Sequence, residues 1–237
     1  MLQDNFGTLH LPTAEESMER TMDWLDFDAN RITMALATVL VLVFLRELYK
    51  VYPAVRGCLT RARGNLEIEH SLSTARSRNV CARICVLPLL LMASRYELYS
   101  PGFLPPVEEA WERLFTLAGV LLTFLIARSA VHALVFRLVP PRLDSEAGKA
   151  VKKGLYNYFL HFVLVSAVSV GILYVFHADD TLTRTVLYAE MVVSLGIAWF
   201  RESQILSTAC SGLPTFLYLC GLEFLPALAL VLSGTAL

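Results

Sequence analysis

Six stretches of the chain are apolar over nearly the length that a helix needs to cross a bilayer, roughly 20 residues. They cover residues 32–48, 80–96, 114–136, 155–176, 185–200 and 213–232. Turn-forming residues such as Pro140-Pro141 and Asp179-Asp180 separate the last five stretches. The pattern predicts an all-α, polytopic transmembrane helix bundle of about six spans, over residues 32–233.

Two of these predicted spans are weaker than the others. The first is free of charge only over 32–45, so Arg46 and Lys50 would have to snorkel from its end. The second is bracketed by Arg83 and Arg95, and Pro88 should kink it because proline cannot donate a backbone hydrogen bond.

Residues 1–31 form an acidic tail without the basic and apolar regions of a cleavable signal peptide. Thr13-Ala-Glu-Glu16 is typical of a capping box, and apolar residues follow it at helical spacing. This predicts a short amphipathic helix, which either docks at the membrane surface or on a partner, or only packs on the external side of the bundle.

Composition supports the membrane assignment and excludes some classes of function. Hydrophobic residues make up 56% of the chain, charged residues 17%, and the mean hydropathy is +0.55, which is too apolar for an ordinary soluble domain. A net charge of −1 provides no basic field for nucleic acid, so no nucleic-acid partner is expected. Five cysteines without a CxxC pair do not indicate a disulfide framework.

The distribution of charge gives the predicted orientation. If the N-terminal tail is external, 14 of the 20 Lys and Arg residues lie on the inner side, mostly in two basic loops over 46–79 and 137–153. Positive charge marks the cytoplasmic side of a membrane protein. We therefore expect both termini to be external.

Ionisable residues within predicted spans are the first candidates for chemistry, because they are costly there without a partner. Arg128 lies roughly 13 Å from the inner end of span three, and Glu223 roughly 15 Å from the inner end of span six, by helical rise. The matched depth predicts an Arg128–Glu223 pair. Such a pair either fixes helix packing or belongs to a substrate, ion or proton site.

Two histidines add to this polar set. His132 shares a helix face with Arg128, and His161 lies at nearly the same depth on span four. Asn157, Tyr158 and Ser169 share the broad face of His161. One interpretation is a polar pocket open to the cytoplasm. Two axial histidines can also hold haem, but nothing else in the sequence supports haem or a metal, so no cofactor and no metal are expected.

On span five, Glu190, Ser194 and Arg201 align on one face. This face either lines a polar track or turns from lipid toward neighbouring helices. The basic loop at 46–79 either determines topology or binds anionic lipid headgroups, through residues that include Arg56, Arg61, Arg63, Arg76 and Arg78.

Residues 218–226 read Tyr-Leu-Cys-Gly-Leu-Glu-Phe-Leu-Pro. This run resembles the C-terminal signature of a multi-pass integral membrane family of unknown function from the Bacteroidota, and the resemblance extends over roughly residues 30–233. It implies an inner-membrane location and no particular activity. Tyr218, Cys220, Glu223 and Pro226 are the positions that match the signature.

Three functions are consistent with these features. The first is a membrane-embedded interaction or assembly component of the cell envelope, with membrane lipids and other envelope proteins as partners. The second is a small carrier or proton-coupled transporter that uses Arg128 and Glu223. The third is an enzyme on a lipid-linked substrate at the cytoplasmic leaflet, which predicts a lateral opening near His161. The sequence contains no nucleotide-binding, zinc-protease or nucleophile-elbow motif, which favours a role that is not enzymatic.

Overall fold

The computed structural model describes residues 24–61, 63–99, 109–138 and 145–207, and all secondary structure in these ranges is helical. The helices are α1 Asp28–Thr60, α2 Gly64–His70, α3 Leu72–Ile84, α4 Val86–Arg95, α5 Ala110–Leu138, α6 Ser145–Val175 and α7 Asp180–Leu206. The predicted all-α class is therefore confirmed for these residues.

Helix α1 is 33 residues long and continues past Pro53 to Thr60. Proline removes its own N–H from the helical ladder, and its ring crowds the carbonyl four residues before it. Val51, Val55 and Cys58, on either side of the proline, are buried in the core. Packing of this face holds the last turns of α1 in helical form.

The prediction of a loop over 46–79 is wrong, because most of this stretch is helical and packed. The chain turns sharply after α1: a Cβ atom on Gly64 would lie 2.7 Å from the Gly57 carbonyl oxygen. Only glycine permits this approach, which lays α2 against the end of α1. Ser71 then caps α3 by accepting a hydrogen bond from the Thr74 N–H at 3.4 Å.

The predicted kink near Pro88 is present as a break between α3 and α4 at Cys85. Pro88 cannot donate to the carbonyl of Ile84, so the helical ladder is interrupted just before it. The two helices together, Leu72–Arg95, are still apolar and long enough to cross a bilayer.

Four helical stretches among the described residues are long and apolar enough to cross a membrane: Asp28–Thr60, Leu72–Arg95, Ala110–Leu134 and Ala150–Val175. They cover nearly all of the first four predicted spans. The fifth predicted span is helical within α7, but α7 is not among the four; it carries Arg184, Glu190 and Arg201 along its length. The sixth predicted span lies outside the described residues, so a total of six spans stays a prediction.

The main core lies between α1, α2, α3, α4 and α6. Its buried apolar members are Val51, Val55, Cys58, Ile68, Ala75, Cys81, Cys85, Met92, Leu160 and Val163. A smaller cluster, with Ala29, Leu90, Leu114 and Leu117, joins the start of α1 to α4 and α5. Helices α1 and α4 thus contribute to both clusters.

The two ends of the bundle are joined by different polar contacts. At the end that we call the Glu97 end, Arg95 pairs with Asp180 at 3.0 Å, and the Arg184 Nε donates to the Tyr96 carbonyl at 2.9 Å. Glu97 has a left-handed backbone, with φ of 48°. Its carboxylate lies 3.4 Å from Arg113 and 3.3 Å from Arg184. The opposite end, which carries α2 and the close of α1, is called the α2 end below.

Candidate functional site

A buried ion pair lies at the α2 end of the bundle. The Arg78 guanidinium of α3 is 2.7 Å from the Glu69 carboxylate of α2, with side-chain exposures of 0% and 3%. Lys153 of α6 lies 3.9 Å from the other oxygen of Glu69. The charge of Arg78 is therefore compensated inside the bundle. Its predicted role in binding lipid headgroups is not compatible with this burial.

Side-chain amides extend this ion pair into a hydrogen-bonded chain. The Arg78 Nη1 donates to the Asn157 Oδ1 at 3.3 Å, and the Asn157 Nδ2 donates to the Asn65 Oδ1 at 2.8 Å. The Asn65 Nδ2 in turn donates to the Tyr158 hydroxyl at 2.9 Å. We call Asn65, Glu69, Arg78, Asn157 and Tyr158 the buried polar network; it connects α2, α3 and α6.

Helix α7 reaches the same region. Glu202 is buried, and one of its carboxylate oxygens lies close to Gly154 of α6. A Cβ atom added to Gly154 would be 3.0 Å from that oxygen. The neighbouring Arg201 donates to the carbonyl of Leu59 from Nε at 3.0 Å and from Nη2 at 2.7 Å, and to that of Thr60 at 3.1 Å. These carbonyls end α1, where the helical ladder leaves acceptors free. Arg201 thus caps α1 from α7.

The buried polar network suits a structural role better than a catalytic one. Hydrogen bonds join Asn65, Arg78, Asn157 and Tyr158, Arg78 and Glu69 form an ion pair, and all five members are shielded from solvent. In a medium of low dielectric constant such bonds are strong and their loss is costly. The network therefore fixes the relative positions of α2, α3 and α6.

Arg128 and His132 are both buried on one face of α5, with 8% and 7% of their surface exposed. The Arg128 Nη1 lies 3.5 Å from the carbonyl oxygen of Lys152, close to the Ala150 start of the candidate span on α6. Arg128 and His132 share one face of α5, as predicted, and this face contacts the beginning of α6. The predicted partner Glu223 lies outside the described residues, so that pair stays a prediction.

The predicted polar pocket on α6 does not form as one unit. Tyr158 belongs to the buried polar network, whereas His161 stacks against Tyr52 of α1 with ring centroids 6.4 Å apart. Ser169 instead donates to Glu190. The three side chains share a broad helix face, but each meets a different neighbouring helix.

Glu190 lies between α7 and α6. One carboxylate oxygen accepts from the Ser166 hydroxyl at 2.7 Å, and the other accepts from the Ser169 hydroxyl. These bonds support the interpretation that the Glu190 face of α7 contacts a neighbouring helix, rather than lining a polar track. Hydrogen bonds of this kind hold helices together in an apolar medium.

An open groove of about 440 Å³ runs between α1 and α6. It is lined by Leu45, Leu48, Tyr49, Tyr52, Leu164, Val165, Val168 and Ser169. Both walls belong to candidate membrane spans. The groove passes beside the Tyr52–His161 contact, in the region where the hypothesis of an enzyme on a lipid-linked substrate predicts a lateral opening.

The outward face of α1 forms a second feature that sequence analysis did not single out. Leu36, Val39, Val43, Arg46 and Lys50 recur at alternating spacings of three and four residues, and all are exposed. The buried residues of α1, such as Ala37 and Val51, lie on a different side of the helix. We call these five residues the α1 stripe.

The signature residues Tyr218, Cys220 and Glu223 lie outside the described residues, as do the capping box at 13–16 and Pro226. Among the residues that the structure describes, no group of three or more His, Cys, Asp or Glu is placed to hold a metal ion. Comparisons with family models, curated proteins and solved structures find no match for this chain.

Sequence reasoning missed Asn65, Glu69 and Glu202. Asn65 and Glu69 are four residues apart, with Ile68 between them, so they share a buried face of α2. That spacing is a usable signal of a helix, although it lies in a stretch whose charge predicts a basic loop. Nothing in the order of residues shows that this short helix meets Arg78 and Asn157.

Proposed function

We propose that this chain is a membrane-embedded interaction or assembly component, which docks another membrane protein on the α1 stripe. We also propose that it lies in a bacterial inner membrane, as a six-span member of the Bacteroidota family that its C-terminus resembles. In this proposal the α2 end is cytoplasmic and both termini are external, as the positive-inside distribution of Lys and Arg supports.

The α1 stripe is the observation that supports docking. Spacings of three and four residues place side chains on one seam of a helix, the arrangement through which helices pack against each other. Val43 at the centre of the stripe is 67% exposed, and Val39 is 55% exposed. A second helix can therefore lie along this seam without moving any described helix.

Two charges in this stripe argue for a protein partner rather than lipid tails. Arg46 and Lys50 lie in the stretch of α1 from Leu45 to Tyr52, which lines one wall of the groove between α1 and α6. The opposite wall is formed by residues 164–169, near the middle of the candidate span on α6. An arginine or lysine at the centre of a span costs about 2.5–3.5 kcal/mol. An acidic or hydrogen-bonding group on a partner helix would offset this cost.

The charges of the α1 stripe also favour a different protein as the partner, rather than a second copy of this chain bound stripe to stripe. Glu47 lies 3.1 Å from Lys50 and also accepts from Ser77 at 2.7 Å, whereas Arg46 has no ion pair within 4.0 Å in the part of the chain that the structure describes. Two copies that met stripe to stripe would bring like charges together. The expected partner is a membrane segment that carries a carboxylate.

The experiment compares complexes extracted from the native membrane in mild detergent. The chain should migrate in one discrete complex, at a fixed ratio to one partner. The double variant Arg46→Leu/Lys50→Leu should release the chain from the complex, while the conservative variant Arg46→Lys should retain the complex. Arg83→Leu, which removes an exposed charge from α3, is the matched control.

Two results would contradict the proposal. One is a complex that the double variant leaves unchanged while the chain accumulates normally. The other is a wild-type chain that migrates alone under conditions that preserve known membrane complexes of the same cell.

A further inference from the structure

The groove between α1 and α6 carries an inference that is independent of the protein partner. Its walls are formed by apolar or aromatic side chains together with Ser169. The Ser169 hydroxyl is already used, because it donates to Glu190. The surface offered inside the groove is therefore apolar along its length.

The position of the groove decides which kind of occupant fits it. Both walls lie within candidate spans, so the groove opens sideways to the hydrocarbon of the bilayer. An extended polypeptide segment that entered it would need partners for its backbone polar groups, which these walls do not supply. A hydrocarbon chain has no such requirement, and a volume of about 440 Å³ is within the usual range of small-molecule pockets.

A basic residue continues the α1 wall toward the α2 end. Leu45, Tyr49, Tyr52 and Arg56 are separated by four, three and four residues, so they share one face of α1. Arg56 is exposed and lies about one helical turn, roughly 6 Å, beyond Tyr52. An arginine at the end of an apolar groove is complementary to a phosphate.

We propose that this groove binds one acyl chain of an anionic phospholipid, and that the lipid phosphate contacts Arg56. The two tyrosines then line the groove between the acyl chain and the phosphate. The stacking of Tyr52 on His161 fixes one wall of the site. The Arg56 face and the α1 stripe point in different directions, so lipid and protein partner do not compete.

The test uses the purified full chain, without any partner, in phosphatidylcholine vesicles doped in parallel with phosphatidylglycerol or with phosphatidylcholine that carries a photoreactive acyl chain. Adducts are mapped by mass spectrometry after illumination. The proposal expects adducts concentrated at 45–52 and 164–169, above those on the exposed face of α5. Because no partner is present, the result does not depend on the proposed function.

Two matched pairs of variants sharpen the test. Val168→Trp should fill the groove and lower labelling severalfold, while Ile172→Trp, one turn further on an exposed face of α6, should not. Arg56→Gln should lower the preference for phosphatidylglycerol over phosphatidylcholine by about fivefold, the effect of one basic residue near an anionic headgroup. Arg76→Gln, an exposed arginine on α3, should leave that preference unchanged.

Uniform labelling of all exposed helix faces in the wild-type chain would overturn the proposal, because it is the pattern of lipids that only surround the protein. Labelling of the groove that is equal for phosphatidylcholine and phosphatidylglycerol would overturn the role of Arg56. Both results are read on the wild-type chain, so they remain decisive if Val168→Trp does not accumulate.

Discussion

Arg78 of α3 and Glu69 of α2 form an ion pair of 2.7 Å from which solvent is almost fully excluded. The pair holds the short helix α2 in the bundle and is extended to α6 through Asn157. It explains why a stretch rich in arginine forms packed helices rather than a loop.

Removal of one member of this pair should destabilise the chain strongly. We expect Arg78→Met to lose about 3–5 kcal/mol of the free energy of unfolding, because it leaves the buried Glu69 charge without its main partner. The double variant Arg78→Met/Glu69→Met should recover part of this loss. The detergent-solubilised proteins are heated over a range of temperatures, and size-exclusion chromatography measures how much folded protein remains. The comparison is between the wild type, the single variant and the double variant.

The control for this prediction is Arg31→Gln. Its pair with Asp28 is exposed, with 60% and 78% of the two side chains accessible, so its removal should cost about 0–1 kcal/mol. Equal effects of Arg78→Met and Arg31→Gln would show that burial of the Arg78–Glu69 pair does not contribute to stability.

The turn between α1 and α2 should tolerate no side chain at Gly64. Gly64→Ala places a Cβ atom within 2.7 Å of the Gly57 carbonyl oxygen, and backbone atoms on both sides of the contact cannot move freely. We expect a loss of about 1–3 kcal/mol of stability, as for other overpacked sites.

Gly57→Ala is the matched substitution, since a Cβ atom at this position meets no atom within 4 Å. It should be neutral or should stabilise α1 by up to about 1 kcal/mol, because alanine favours the helix. A Gly64→Ala protein as stable as Gly57→Ala would mean that α2 does not approach α1 this closely.

The Tyr158 hydroxyl should contribute to stability through Asn65. In Tyr158→Phe the buried Asn65 Nδ2 loses its acceptor, which should cost about 1–3 kcal/mol. Tyr156→Phe, on the exposed side of α6, should cost almost nothing. The comparison of the two thermal midpoints tests the prediction, and identical midpoints would remove Tyr158 from the network.

Arg201 should protect the end of α1 from local opening. Arg201→Gln removes the guanidinium that donates to the carbonyls of Leu59 and Thr60. Because hydrogen bonds from a charged donor contribute about 1.5–3 kcal/mol, amide exchange over the last turn of α1 should become more than tenfold faster. Hydrogen exchange with mass spectrometry reports this, and unchanged exchange at the last turn of α1 would contradict the capping role.

Sequence patterning was sufficient for the helical class and for the positions of the first four apolar segments. Apolar length is a local property, so it can be read directly along the chain. The break before Pro88 followed from the chemistry of one residue. The predicted common face of Arg128 and His132 is likewise a local consequence of helical spacing.

The partners of polar side chains were not accessible in this way, because they depend on which helices are neighbours. Tyr158 and His161 are three residues apart, yet one contacts Asn65 of α2 and the other Tyr52 of α1. In the sequence, Glu69 and Arg78 resemble ordinary solvated residues of a basic loop. They are buried in the structure because α2 turns back onto α1 at Gly64. The chemistry of Glu223 and its neighbours stays a prediction, because these residues lie outside the described part of the chain.

The most direct measurement of the central claim is site-specific photo-crosslinking from the middle of the α1 stripe in native membranes. A photoreactive phenylalanine derivative is placed at Val43, and another at Leu122 on the exposed face of α5 as the control. The account predicts one discrete protein adduct from Val43 and none from Leu122. The adduct should join Val43 to a membrane segment that carries Asp or Glu, and Arg46→Leu/Lys50→Leu should abolish it. An adduct within the same chain, to residues 213–232, or adducts to lipid alone would contradict the claim that α1 docks another protein.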